Sequence, residues 1–156
     1  MSNDALVSAF RVPASLSSLA FVRGAVALVI DREFWNGDSA GRMLLAASEA
    51  VSNAIEHGSP ADGGGEVEVR IAITQAGATL VVTDQGRPGE RSFIDVLAPT
   101  PEPTSTRGRG IVIMRNLADD LRVEPAGGGM RVTMDFRIAR ANANGAHGDG
   151  RVAAAA

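Results

Sequence analysis

Ser48-Glu49-Ala50-Val51-Ser52-Asn53-Ala54-Ile55-Glu56-His57-Gly58 is the stretch on which the reading of this chain turns. Within it Glu49, Asn53 and His57 recur at intervals of four. Each step of four along a helix rotates by only ~40°, so the three form a slanted polar stripe on one face. Leu44, Ala47, Val51, Ala54 and Ile55 gather on the other side. That pattern predicts an amphipathic helix over about residues 38–57, stopped by Gly58. Most surface helices carry a polar face that is merely solvated. A carboxylate and an amide one turn apart can also hold a water, a hydroxyl or a Mg²⁺.

Downstream, Glu66 to Ile73 alternates polar and apolar with period two, as a strand with one buried face does. After a turn at Gly77, a second strand over Thr79–Thr83 runs into Asp84-Gln85-Gly86-Arg87-Pro88-Gly89. An acidic residue at a strand end followed by Gly is either a plain turn or a carboxylate at the sheet rim, with glycine admitting a flat ligand. Residues 85–109 then carry Pro88, Pro99, Pro101 and Pro103 among Gly, Ser and Thr. Structureless stretches of that length inside a domain are functional lids or disordered segments. Order resumes at Arg107-Gly108-Arg109-Gly110, with a helix from Gly110 to about Asp119. Unpaired N–H groups at a helix start attract phosphate, and two Arg add charge; a simple glycine hinge is the competing reading. Strands over Leu121–Glu124 and Met130–Ile138 follow.

Upstream, residues 5–12 alternate loosely and stop at Pro13, predicting a first strand. Ser15 stands as a cap for a helix to about residue 34, and Trp35 to Asp38 form the turn into the next one. Short turns between consecutive strands imply antiparallel pairs. Three helices against that sheet make a two-layer α+β sandwich. The expected organisation is one domain over residues 1–138, a lid over about 86–109, and a disordered tail over 139–156.

The composition removes whole classes of chemistry. The chain has 156 residues and a net charge of -3; all 15 basic residues are Arg, and Cys and Tyr are absent. Without Lys there is no Walker P-loop, kinase-type phosphate lysine or Schiff base. Without Cys there is no thiol nucleophile, thiolate zinc site or disulfide. Two isolated histidines, His57 and His147, do not suggest a His-built metal site. No basic run of the nucleic-acid kind and no apolar stretch of membrane-spanning length occurs, so the expectation is a cytoplasmic protein that binds neither nucleic acid nor membrane.

Taken together, ExxxNxxxH on a helix, DxG after a strand, a lid, and GxG opening a helix resemble the Bergerat-fold ATPases. Within that superfamily the segments SEAVSNAIEHG (48–58), VTDQGRPG (82–89) and GRGIVIMRNLADDL (108–121) are similar to the anti-sigma-factor serine kinases of the RsbW type. The resemblance covers about residues 5–138. It implies a mixed, mostly antiparallel sheet with three helices on one face, and ATP with Mg²⁺ as cofactors. By resemblance, Glu49 would be the general base and Asn53 the Mg²⁺ ligand. Asp84 would accept the adenine amino group, with Gly86 giving the ring room and Gly89 following in the same box. Gly108, Gly110 and Ile111 would wrap the phosphates, Arg107 or Arg109 would neutralise them, and His57 would support the base of the lid.

Two positions depart from the family pattern. Pro88 stands where the first glycine box usually has its second Gly, and Met130 follows Gly129 where a Thr often assists the adenine-side carboxylate. The implied function is a homodimeric anti-sigma factor that sequesters a sigma factor and phosphorylates a STAS-type anti-anti-sigma protein. The alternative is a module of the same fold that acts by sequestration without catalysis. A histidine-kinase catalytic domain is disfavoured, because His57 lies inside the motif and His147 in the tail.

Overall fold

A computed structural model describes residues 6–32, 37–58, 64–74, 76–86 and 109–137. The strands are β1 (Leu6–Pro13), β2 (Glu66–Ile73), β3 (Gly77–Thr83), β4 (Asp120–Ala126) and β5 (Gly129–Arg137). The helices are α1 (Ser18–Arg32), α2 (Gly37–Gly58) and α3 (Arg109–Leu117). Most of the expected lid and the whole expected tail lie outside the described residues.

The strands form one sheet in the order β1-β2-β3-β5-β4. The two-layer α+β expectation holds, with one adjustment. All four pairings are antiparallel, so among the described strands the sheet is not mixed. β3 and β4 do point the same way, but β5 inserts between them. Its partner in the tight hairpin is β4, across Gly127 and Gly128 at φ +60° and +95°. Two consecutive left-handed residues suit a two-residue hairpin turn, and glycine adopts them without a Cβ clash.

Alternation decides which face is buried. Val67, Val69, Ile71 and Ile73 of β2 line up with Leu80 and Ala78 of β3 and with Val132, Met134 and Phe136 of β5. That face packs on Val22, Val26 and Ile30 of α1 and on Met43, Ala46, Ala47, Ala50, Val51 and Ala54 of α2. The opposite face is charged. Arg11 and Arg70 flank Glu68, and hydrogen bonding from Arg70 and then Arg11 holds its carboxyl below the usual range.

Three local expectations change. α1 begins at Ser18, three residues after the expected cap, and Ser15 accepts the Ser18 N–H on its carbonyl (2.9 Å) and the Ser17 N–H on its hydroxyl (3.4 Å). β3 begins at Gly77, where a Cβ would run into the Phe136 carbonyl of β5. β4 continues through Pro125, which an edge strand tolerates because the missing N–H faces away from the ladder.

Candidate functional site

α2 supplies the backbone of the site. Its apolar side meets the sheet, and α3 lies against it beside the polar stripe. Asn53 is half-buried, and its Nδ2 is buried with no hydrogen-bond partner among the described residues. Gly110, in the first turn of α3, presses directly on this amide. A Cβ there would lie 2.6 Å from Asn53 Nδ2 and 2.9 Å from Oδ1. Glycine at 110 therefore answers a spatial requirement, and the hinge reading does not explain it. Ile111, next along, is buried in the core. Glu49 is half-buried one turn before Asn53, whereas His57 is exposed and sits 3.9 Å from Glu56.

Five residues beyond Asn53, roughly 7–8 Å along the helix axis, α2 ends against Asp84. Asp84 is only 9% exposed. Its Oδ1 accepts the N–H groups of Gly86 (2.8 Å) and Met130 (3.2 Å), and its own N–H donates to the Met130 carbonyl (3.0 Å). Burial raises the Asp84 pKa above its ordinary 3.8, against the opposing pull of the two N–H donors. A neutral N–H donor reaching this carboxylate would relieve part of the cost of burying its charge.

Three glycines make room around Asp84. A Cβ on Gly58 would fall on the carboxyl group, 2.5 Å from Oδ1. α2 stops at Gly58 as expected, and because Gly58 has no positive φ, the glycine there answers to the space beside Asp84. A Cβ on Gly129 would meet the Asp84 carbonyl and lie 2.5 Å from the Gly86 nitrogen. Gly86 itself, at φ +76°, lies under the Gly128 carbonyl. Sequence reasoning passed over Gly58 and Gly129 as contacts of Asp84, although Gly129 was visible as the residue before the Thr-to-Met departure. Met130 serves Asp84 through its backbone N–H, a bond that does not depend on the side chain at this position.

The expected residues thus fall into two groups joined by α2: Asn53 with Gly110 at one point, and Asp84 with Gly86 at the other. Gly89, Arg107 and Gly108 lie outside the described residues, as does the Arg109 side chain. Among the described residues no group of three or more His, Cys, Asp or Glu could hold a metal ion alone. No described helix is long and apolar enough to cross a membrane.

Comparison with known proteins gives the family. The model of the histidine kinase-like ATPase domain matches residues 12–136. The serine-protein kinase RsbW of Bacillus subtilis (strain 168) is 28% identical over 130 residues, covering 80% of this chain and 81% of that protein. An anti-sigma F factor of Clostridium botulinum (strain Eklund 17B / Type B) is 33% identical over 108 residues, covering 67% and 75%. Among solved structures, the RsbU and RsbW domains of Rv1364c from Mycobacterium tuberculosis share the fold, with a TM-score of 0.62 at 19% identity. That match covers 84% of this chain and 32% of the longer one. The chain belongs to the histidine kinase-like ATPase family, in the branch of RsbW and the anti-sigma F factors.

Proposed function

We propose that this protein is an anti-sigma factor and serine/threonine protein kinase of the cytoplasm. It binds Mg-ATP, sequesters a sigma factor as a homodimer, and phosphorylates a STAS-type anti-anti-sigma partner. The observation that carries the reading is the buried Asn53 Nδ2, without a hydrogen-bond partner among the described residues and overlaid by a glycine at a helix start. A structural amide in such a place would find an acceptor, because an unmet buried donor costs about 1–3 kcal/mol. A phosphate-bearing ligand between α2 and the start of α3 provides one.

The donor set also suits a metal shared with phosphates, since a Mg²⁺ keeps few protein ligands and completes its shell with phosphate and water oxygens. Asn53 would hold it, and the ion when bound would neutralise charge on the transferring group. Asp84 would accept the adenine amino group, and Arg107 or Arg109 would balance phosphate charge. Glu49, one turn before Asn53 on the same face, would accept the proton of the attacking hydroxyl. Phosphoryl transfer needs positioning and charge neutralisation above all, and these residues supply both without a lysine.

The test is transfer of radiolabelled phosphate from ATP to a purified STAS-domain partner. The wild type should label the partner, and Glu49→Ala should abolish labelling while Mg-ATP binding persists. Full labelling by Glu49→Ala would remove Glu49 as base. A wild type that binds the partner without labelling it would make the protein a sequestering module.

A further inference from the structure

Far from Asn53, a second residue of α2 grips the other end of α3. Arg42 Nη1 donates to the Leu117 carbonyl at 3.0 Å, and its Nη2 lies 3.7 Å from Asp119. Leu117 is the last residue of α3, and its carbonyl is one of the four that a helix C-terminus leaves unmatched. A guanidinium there satisfies the acceptor and complements the helix dipole. Asp119 in turn accepts the Arg137 N–H of β5 at 2.6 Å. The Arg42 side chain is 28% exposed, and its buried Nε, without a hydrogen bond among the described residues, lies 3.8 Å from Asp38. The guanidinium is held by what α3 and its exit offer.

α3 runs antiparallel to α2, with Gly110 at Asn53 and Leu117 at Arg42. A short helix fastened at its far end cannot slide along its neighbour. The tolerance at the near end is small, since the backbone of Gly110 lies directly on the Asn53 amide.

We propose that Arg42 is a positioning residue for the nucleotide site: from the far end of α3 it keeps Gly110 seated on Asn53. The consequence for nucleotide rests on the proposed function, whereas the seating of α3 does not. The test uses the full chain with Arg42→Met, which keeps the apolar stem and removes the donors, and Arg42→Lys. In the free protein, Ile113 and Met114 donate to the Arg109 and Gly110 carbonyls by helical spacing. Their amide exchange should quicken about tenfold in Arg42→Met, and the Asn53 side-chain NMR signals should move. The KM for Mg-ATP should rise several-fold with kcat held within about twofold, and Arg42→Lys should recover part of each effect. Should Arg42→Met not fold, Asp119→Asn weakens the same clamp and should shift the same signals in the same direction. Unchanged exchange at Ile113 and Met114 would overturn the proposal. So would faster exchange confined to residues 117–119 with unmoved Asn53 signals. A wild type that does not bind Mg-ATP would refute the nucleotide reading, and the exchange and Asn53 signals would then decide the role of Arg42 alone.

Discussion

Replacing Gly58 with alanine is the sharpest perturbation the structure offers. The new Cβ would lie on the Asp84 carboxyl, 2.5 Å from Oδ1 and nearer still to Cγ. Ordinary carbon–oxygen contact begins about an ångström farther out. Asp84 is the element that must yield, since α2 is fixed by core residues on its sheet side. Moving its carboxyl strains or breaks the bonds from Gly86 (2.8 Å) and Met130 (3.2 Å). A hydrogen bond to a charged group contributes about 1.5–3 kcal/mol. The better helix propensity of alanine returns at most ~1 kcal/mol. With one bond lost outright and the other weakened, the net destabilisation is about 2–4 kcal/mol. Gly41→Ala is the matched control, because Gly41 lies in the same helix and a Cβ there meets nothing within 4 Å. That change should stabilise the protein by up to ~1 kcal/mol. Urea unfolding of both variants measures the contrast, and titration with Mg-ATP reads the accompanying loss of affinity in Gly58→Ala. Equal stability of the two variants, with affinity for Mg-ATP retained in both, would refute the packing argument for Asp84.

Further outcomes follow from the same geometry. Asn53→Ala should weaken Mg-ATP binding yet leave stability unchanged within ~1 kcal/mol or raised, because the amide it removes has an unmet buried donor; a loss above that in urea unfolding would mark Asn53 as a structural residue. Asp84 has a folded-state pKa raised by burial above 3.8, so its favourable contribution is complete below that value and fades as pH rises through the folded pKa. Asp84→Asn should therefore gain stability relative to wild type between about pH 4 and pH 7. Urea midpoints at both ends check the sign, and the opposite trend would mean that the two N–H donors outweigh burial.

What could be read from the chain alone followed the strength of each local pattern. β2 was legible to the residue because its eight positions alternate without a break. The start of α1 was not, since Ser15, Ser17 and Ser18 are all acceptable helix-entry residues and the turn bonded between Pro13 and Ser18 sets which of them begins the helix. β4 looked shorter than it is because Pro125 reads as a stop, and only its place at the sheet edge makes it harmless. The polar stripe on α2 was visible, but the half-burial of Glu49 and Asn53 was not. Their partner α3 comes from some fifty residues later in the chain. Arg42 was invisible for the same reason, since its target is a backbone carbonyl that no side-chain pattern announces.

The insertion of β5 between β3 and β4 has a kinetic consequence. β1, β2 and β3 meet through connections of one short turn or one helical pair, and β4 and β5 through a two-residue hairpin. The β3–β5 seam joins residues 48 to 60 positions apart, from Thr83 with Arg131 to Gly77 with Arg137. The β1–β2 pairing is as distant, from Pro13 with Glu66 to Leu6 with Ile73, and contacts of such separation are the slow ones to form, because chain closure must precede any reward from pairing. The bonds between Asp84 and Met130 lie at the end of this seam, and Asn53 and Gly110 likewise come from opposite sides of it. Neither half of the chain can assemble the pocket in advance. A ligand held between these residues acts as a latch on this seam, and each tenfold excess over its dissociation constant adds about 1.4 kcal/mol against the seam reopening.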